Sequence, residues 1–207
     1  MKTLGAVLVG GQSSRFGNQN KATALLAGTP LVQHVVDRLA PQVDRVVFSG
    51  SITPFLAEST SPDPFSSPQL KELDWIADAT PDSPGPLAAV LNCLSYAKET
   101  GSEWLLTSPC DTPFLPHNLR DALYTQARKT KKSVCIPKEK SGLQPAHGLW
   151  HCDCLADLHD AVVENGVRGF HQFFDLYEAA VWAWPEPTNG FFNINRPEDL
   201  TLALAQM

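Results

Sequence analysis

The sequence has no long apolar run and no excess of positive charge. The apolar stretch at residues 4–9 is too short for the core of a signal peptide, and no other stretch approaches the length of a membrane span. Sixteen Lys and Arg residues stand against 22 Asp and Glu residues, which gives a formal net charge of −6. Because binding to a phosphate backbone needs clustered cations, we expect no nucleic-acid partner. Because no apolar run is long enough to span a bilayer, we also expect no membrane partner. A local positive pocket for small phosphorylated ligands remains compatible with this balance.

The cysteines also lack the pattern of a disulfide framework. There are five, and they lie in or beside apolar segments, at positions 93, 110, 135, 152 and 154. Such thiols are typical of a reducing compartment, so we expect a cytoplasmic protein. The spacing H-x₃-H-C-x-C at residues 147–154 could be taken for a metal cluster. Structural zinc sites place two to four residues between paired cysteines, so we do not expect zinc here.

Apolar periodicity predicts an α/β protein of one domain. Strands are predicted at residues 4–9, 45–48, 75–77 and 104–107, with helices at 30–39, 87–96 and 119–128. Strands separated by helices imply right-handed crossovers and a mostly parallel sheet. The second half is less regular, with strands predicted at 133–137, 148–151 and 179–182 and helices at 154–164 and from Pro197. Residues 59–68, rich in Pro and Ser, are predicted to form a surface loop.

A glycine-rich loop follows the first predicted strand. Residues 8–17 read LVGGQSSRFG, and Lys21 comes four residues later. Glycines let backbone N–H groups approach phosphate oxygens, while Arg15 and Lys21 would offset the negative charge. The loop is neither a Walker A motif, since Asn18 follows Gly17, nor a GxGxxG dinucleotide fingerprint. It predicts a phosphate cradle, and the alternative is a strand-to-helix turn with incidental charges.

An aspartate follows the fourth predicted strand, in the segment PCDTP at residues 109–113. In an open α/β sheet, ligands bind at the carboxyl ends of the strands. A hard carboxylate such as that of Asp111 can hold Mg²⁺ against nucleotide phosphates there. Taken alone, Asp111 could equally be a turn residue ahead of Pro113. Together with the glycine-rich loop, it predicts a site for a nucleotide and Mg²⁺.

These segments together resemble the molybdenum cofactor guanylyltransferase (MobA) family, within the MobA-like NTP transferases. The family's opening loop has the form L-A-G-G-x-S-x-R-M-G-x-x-x-K, and this chain reads LVGGQSSRFGNQNK. The segments PGPLA, PCDTP, FNIN and PEDL follow in the family's order, at residues 84–88, 109–113, 192–195 and 197–200. The resemblance implies a single Rossmann-like nucleotidyltransferase domain over residues 1–207, with a twisted, mostly parallel sheet and helices on both faces. Residues 1–115 would form the nucleotide-binding half and residues 116–207 the acceptor-binding half.

The resemblance also implies an activity. The enzyme would transfer GMP from GTP to the phosphate of molybdopterin, release pyrophosphate and make the guanine dinucleotide form of the molybdenum cofactor. Mg²⁺ would be the cofactor, and molybdoenzyme apoproteins or other cofactor-assembly proteins would be the protein partners. An acceptor phosphate is already ionised at neutral pH and needs no strong general base. Catalysis would therefore come from alignment and charge neutralisation.

Roles are assigned to residues by their matching positions. Arg15, Lys21 and Asp111 are the expected catalytic residues, with Asp111 as the metal ligand. The expected nucleotide-binding residues are Leu8, Val9, Gly10, Gly11, Lys21, Ser49, Asp78 and Asp111. The expected acceptor-side residues are Gln144, His147, Asn193 and Asn195. The chain departs from the family at Ser49, where Asn is common, and at Asn20, where Asp is frequent.

Other functions stay open at this stage. Within the same class, the chain could be a molybdopterin cytidylyltransferase or a sugar-1-phosphate nucleotidyltransferase, because the shared loop does not decide the base. The PCDTP segment argues against the cytidylyl relatives. From another class, it could be a non-catalytic nucleotide-binding adaptor in molybdenum cofactor insertion. The departures at Ser49 and Asn20 allow that possibility, whereas the retained Arg15, Lys21 and Asp111 argue against it.

Overall fold

A central sheet organises the computed structural model, which describes residues 1–9, 21–50, 67–77, 85–185 and 189–207. The strands are β1 (Thr3–Leu8), β2 (Leu25–Leu26), β3 (Thr29–Pro30), β4 (Arg45–Ser49), β5 (Asp74–Ile76), β6 (Trp104–Pro109), β7 (Val134–Glu139), β8 (Gly142–Leu143), β9 (Leu149–His151) and β10 (Ala180–Ala183). The α-helices are α1 (Leu31–Leu39), α2 (Pro68–Lys71), α3 (Pro86–Glu99), α4 (Leu119–Thr130), α5 (Leu155–His159), α6 (Phe170–Leu176) and α7 (Pro197–Leu204). Short 3₁₀ turns include Lys21–Thr23 and Pro145–His147.

The sheet is mostly parallel, as predicted. Its strand order is β10-β7-β9-β6-β1-β4-β5, with β8 paired to β7, and β2 and β3 form a separate hairpin. β1 pairs in parallel with both β4 and β6, and β10 pairs in parallel with β7. β9 is antiparallel to both of its neighbours, β6 and β7. The connection from β7 to β9 is too short for the crossover that a parallel strand requires, so the chain turns back on itself.

Helices cover both faces of the sheet. On one face, α1 and α4 pack against Val7, Phe48 and Leu106. On the other face, α3, α5 and α6 pack against Ala6 and Leu105. Successive strand residues point to opposite faces, so both faces of β1 and β6 are buried and both strands are rich in apolar residues. None of the described helices is long and apolar enough to cross a membrane.

Two of the predicted segments differ locally from the structure. Residues 59–66 of the predicted loop lie outside the described residues, but its last residue, Pro68, begins α2. The Ser67 hydroxyl accepts a hydrogen bond from the Leu70 amide at 3.2 Å and caps this helix. A Ser-Pro pair suits a helix start as well as a loop. The helix predicted at 154–164 is divided into α5 and a following π-helical turn, Asp160–Glu164.

Candidate functional site

The carboxyl ends of β1, β4 and β6 meet at one edge of the sheet. Hydrogen bonding continues just past the strands: the Val9 amide donates to the Ser49 carbonyl at 2.9 Å, and the Cys110 amide donates to the Leu8 carbonyl at 3.1 Å. The predicted nucleotide contacts Leu8, Val9 and Ser49 are therefore neighbours, and all three are buried. Four further predicted residues lie outside the described part of the chain: Gly10, Gly11, Arg15 and Asp78.

Four predicted residues form a polar cluster at this edge: Lys21, Asp111, Asn193 and Asn195. The Lys21 ammonium forms an ion pair with the Asp111 carboxylate and donates to Asn195 Oδ1 at 2.7 Å. The Asn193 side-chain amide donates to the two carboxylate oxygens at 2.5 and 2.6 Å. Asp111 is only 8% exposed, whereas both asparagines are exposed, so the cluster opens to solvent on one side.

A small apolar cluster explains why these distant segments meet. The β2–β3 hairpin follows the turn that carries Lys21, and its Leu26 packs with Ile194 and Ala203. The Ile194 amide also donates to the Asp111 carbonyl at 2.9 Å. Ile194 lies between the two asparagines, so burying its side chain holds the Asn193 amide beside the carboxylate and the Asn195 amide beside Lys21.

Asp199 is a supporting residue that the sequence reasoning did not identify. Its carboxylate accepts hydrogen bonds from the backbone amides of Asn195 and Arg196 at 2.7 and 2.9 Å. It stands at the third position of α7, with Pro197 at the first, which is the arrangement of a helix cap. The capping pattern in the sequence could have revealed this contact.

Burial and charge act in opposite directions on Asp111. Burial raises the pKa of its carboxyl above the usual range, and the charge of Lys21 partly offsets that rise. Burial also raises the pKa of the neighbouring Cys110 thiol, which keeps it protonated and unsuited to act as a nucleophile. The ionised form of Asp111 is therefore destabilised by burial, and a cation bound beside it would stabilise that form.

The donor atoms fit a hard divalent cation. Asp111 offers two carboxylate oxygens and Asn195 offers an amide oxygen, and the Asn193 amide would offer another if it turned over. Carboxylate and amide oxygens are the ligands that Mg²⁺ and Ca²⁺ prefer. In this structure the Lys21 ammonium supplies the positive charge beside the Asp111 carboxylate.

The two remaining acceptor-side residues lie in different surroundings. Gln144 donates to Glu139 Oε1 at 3.2 Å and to Ser141 Oγ at 2.9 Å, so it belongs to the β7–β8 hairpin rather than to the polar cluster. His147 is 2% exposed and lies behind the cluster, where its Nε2 is 3.1 Å from Thr112 Oγ1. Burial lowers the pKa of His147 to about 3, so its imidazole is neutral.

Comparison with known proteins identifies the family of the chain. Residues 5–179 match the family model of the MobA-like NTP transferase domain. The chain is 31% identical to a molybdenum cofactor guanylyltransferase of Nitrobacter hamburgensis, covering 97% of this chain and 92% of the relative. It is 36% identical to one of Cereibacter sphaeroides, covering 98% of this chain and 96% of the relative. The chain belongs to the MobA-like NTP transferase family.

A solved structure shares the fold of this MobA-like transferase. It is molybdopterin-guanine dinucleotide biosynthesis protein A from Archaeoglobus fulgidus, with a TM-score of 0.72 and 23% identity. The likeness covers 99% of this chain and 100% of that one. The α/β fold with a mostly parallel sheet, expected from the sequence, is thereby confirmed.

In this MobA-like chain the H-x₃-H-C-x-C run is divided between different surroundings. His147 contacts Thr112, whereas the His151 ring packs edge-on against Trp104 with ring centroids 4.6 Å apart. Cys154 is fully buried in the core on the α3 side of the sheet. Within the described ranges, no three His, Cys, Asp or Glu side chains are grouped as metal ligands.

Proposed function

We propose that this chain transfers GMP from GTP to the phosphate of molybdopterin, releasing pyrophosphate and forming the guanine dinucleotide form of the molybdenum cofactor. The polar cluster of Lys21, Asp111, Asn193 and Asn195 carries the proposal, because it places a cation, a carboxylate and two amides at the ligand-binding edge. The substrates follow from the relatives, which are named molybdenum cofactor guanylyltransferase and match nearly the whole chain.

In this proposal, residues 1–115 bind the nucleotide and residues 116–207 bind the acceptor. The first range supplies β1, β4, β5 and β6, whose carboxyl ends would face GTP. The second range supplies Asn193 and Asn195, which reach Asp111 and Lys21 of the first. The reaction would take place where the two halves meet, within one domain.

The proposed nucleotide contacts begin at the ends of the strands. The backbone of Leu8 and Val9 and the segment after Ser49 would border the base and sugar, and Asp78 would contact the nucleoside. Gly10 and Gly11 would bring backbone N–H groups to the phosphates, where Arg15 and Lys21 offset negative charge. Gln144 and His147 lie in the acceptor half, His147 behind the surface.

Asp111 would hold Mg²⁺, assisted by Asn193 and Asn195. When bound, the cation neutralises charge on the triphosphate and on the leaving pyrophosphate. Lys21 would release Asp111 and turn its ammonium toward the phosphates. The acceptor phosphate attacks the α-phosphate and needs no general base, since it is ionised at neutral pH. Two titratable side chains close to Asp111 are consistent with this, because burial keeps the Cys110 thiol protonated and lowers the pKa of His147 to about 3, which makes its imidazole a weak base.

Two further expectations belong to the proposal. Molybdoenzyme apoproteins or other cofactor-assembly proteins would receive the product. The reaction would take place in the cytoplasm, which the five free cysteines support because such thiols persist under reducing conditions.

The deciding experiment incubates purified protein with Mg²⁺ and molybdopterin and offers GTP, CTP, ATP or UTP separately. Pyrophosphate release and the nucleotide-modified pterin are both measured, with Asp111→Asn as the inactive control. Release with GTP alone, together with guanylylated pterin, supports the proposal. Release with CTP would make the chain a cytidylyltransferase, and activity only with a sugar 1-phosphate would change the acceptor. Nucleotide binding without release would indicate an adaptor.

A further inference from the structure

His147 contacts both segments that support the polar cluster. Its Nε2 lies 3.1 Å from Thr112 Oγ1, and Thr112 directly follows Asp111. Its ring packs edge-on against Phe191, with centroids 5.0 Å apart, and Phe191 leads into the segment of Asn193. One buried side chain therefore contacts the residue that follows Asp111 and the residue two positions before Asn193.

The direction of the hydrogen bond follows from the other contacts of Thr112. The Thr112 hydroxyl donates to the Pro109 carbonyl at 3.1 Å, and its oxygen also lies 3.4 Å from Ser108 Oγ, so we assign the imidazole as the donor to Thr112. This assignment places the proton of His147 on Nε2, and two hydrogen bonds then run in sequence from His147 through Thr112 to Pro109. These two hydrogen bonds close the turn that contains Asp111.

The second ring nitrogen of His147 argues against a role in packing alone. Nδ1 is buried and has no hydrogen-bond partner among the described residues. An unpaired buried nitrogen disfavours folding, so an aliphatic side chain would serve stability better here. What the histidine adds over an aliphatic residue is the N–H group directed at Thr112.

We propose that His147 is a positioning residue for the metal site, acting through Thr112 on Asp111 and through Phe191 on Asn193. This inference rests on the proposed function, in which Asp111 and Asn193 hold the divalent cation. Coordination requires the carboxylate and the amide at fixed separations, and small displacements lower the rate. Losing one neutral hydrogen bond corresponds to a loss of roughly three- to tenfold in metal affinity and kcat.

The test compares variants that separate the hydrogen bond from packing. His147→Leu removes the donor, Thr112→Val removes the acceptor with little change of shape, and His147→Gln keeps an N–H near the position of Nε2. Thr3→Val is the matched control, because Thr3 is a fully buried threonine on β1 whose hydroxyl has no partner among the described residues. Mn²⁺ binding is measured without substrates by electron paramagnetic resonance, followed by kcat, KM for GTP and the melting temperature.

We expect His147→Leu and Thr112→Val each to weaken Mn²⁺ binding and to lower kcat by roughly three- to tenfold, with KM for GTP changed less than about twofold. The double variant should be no worse than Thr112→Val alone, because each single change already breaks the His147–Thr112 hydrogen bond and only Thr112→Val also removes the bond to Pro109. His147→Gln should regain most of the Mn²⁺ affinity and kcat. Thr3→Val should behave as the wild type.

Unchanged Mn²⁺ affinity and kcat in Thr112→Val would overturn the inference, whatever the melting temperature does. Additive losses in the double variant would also overturn it, as would a folded His147→Gln that resembles His147→Leu. If His147→Leu does not fold, the Mn²⁺ affinity and kcat of Thr112→Val and His147→Gln still test the inference. If the wild type transfers no nucleotide, the proposed function fails, while Mn²⁺ binding by the same variants continues to test the role of His147.

Discussion

Acid should destabilise the folded protein through His147. Burial lowers the pKa of this imidazole to about 3 in the folded chain, whereas an unfolded histidine titrates near pH 6.5. Below about pH 6.5 the unfolded chain therefore binds a proton at His147, whereas the folded chain does not. Stability falls as pH falls across this window, with a limiting slope of about 1.36 kcal/mol per pH unit.

The magnitude follows from the two pKa values. At pH 8 both states leave His147 neutral, so its titration contributes nothing. At pH 5 the unfolded chain is almost fully protonated at this site, and the free energy of unfolding should be lower by about 2 kcal/mol from this residue alone. Other groups titrate over the same range, so the wild type by itself cannot isolate the effect.

The assay is urea denaturation of the wild type and of His147→Gln at pH 8 and pH 5, with free energies extrapolated to water. Gln cannot be protonated in this range, and the contributions of the other titrating groups cancel in the difference. We expect the difference between the two proteins to move by about 2 kcal/mol in favour of His147→Gln on going to pH 5. An equal difference at both pH values would refute the reasoning, because it would mean that the folded chain protonates His147 as readily as the unfolded chain does.

Three further predictions concern the site and the core. Asp111→Asn should lower kcat by about 10²–10³-fold. It should not lower the melting temperature at pH 7, because burial raises the pKa of Asp111 and ionising it costs folding free energy. A large fall in melting temperature with turnover retained would contradict this. Lys21→Met should reduce turnover yet tighten Mn²⁺ binding to the free protein, since the ammonium no longer competes for Asp111 and Asn195; weaker Mn²⁺ binding would contradict the competition. Gly148→Ala should cost about 1–3 kcal/mol in urea denaturation. Its added Cβ would lie 2.5 Å from Nε1 of Trp150, and an unchanged free energy of unfolding would show that the tryptophan moves aside.

Local sequence pattern was sufficient for the long elements. β1, α1 and α4 were predicted within one or two residues of their observed ends, because β1 is a continuous apolar run and the two helices carry an apolar period. The two-residue strands of the β2–β3 hairpin and β8 were not predicted. A strand of two residues is too short to show an alternation of apolar and polar residues. It forms only because a neighbouring strand supplies its hydrogen bonds. The helix α6 was also missed, since its short aromatic run has little periodicity.

The chemistry of the site was readable from the sequence, and its connections were not. Motif positions identified Lys21, Asp111, Asn193 and Asn195 one at a time. The bond from Lys21 to Asn195 joins residues 174 positions apart, and it depends on the C-terminal segment returning to the edge of the sheet. The sequence also suggested His147 as an acceptor-side residue, without indicating that it is buried against Thr112 and Phe191.

The sequence by itself determined the fold class, the family and the types of side chain available for catalysis, because apolar periodicity and short motifs are local properties of the chain. Only the tertiary structure decided that Lys21 neutralises Asp111, that Asn193 and Asn195 join them, and that His147 is a neutral imidazole behind the site. Charge pairing and pKa depend on distance and on exposure to water. Both are set by which distant segments pack together, and no short stretch of sequence contains that information.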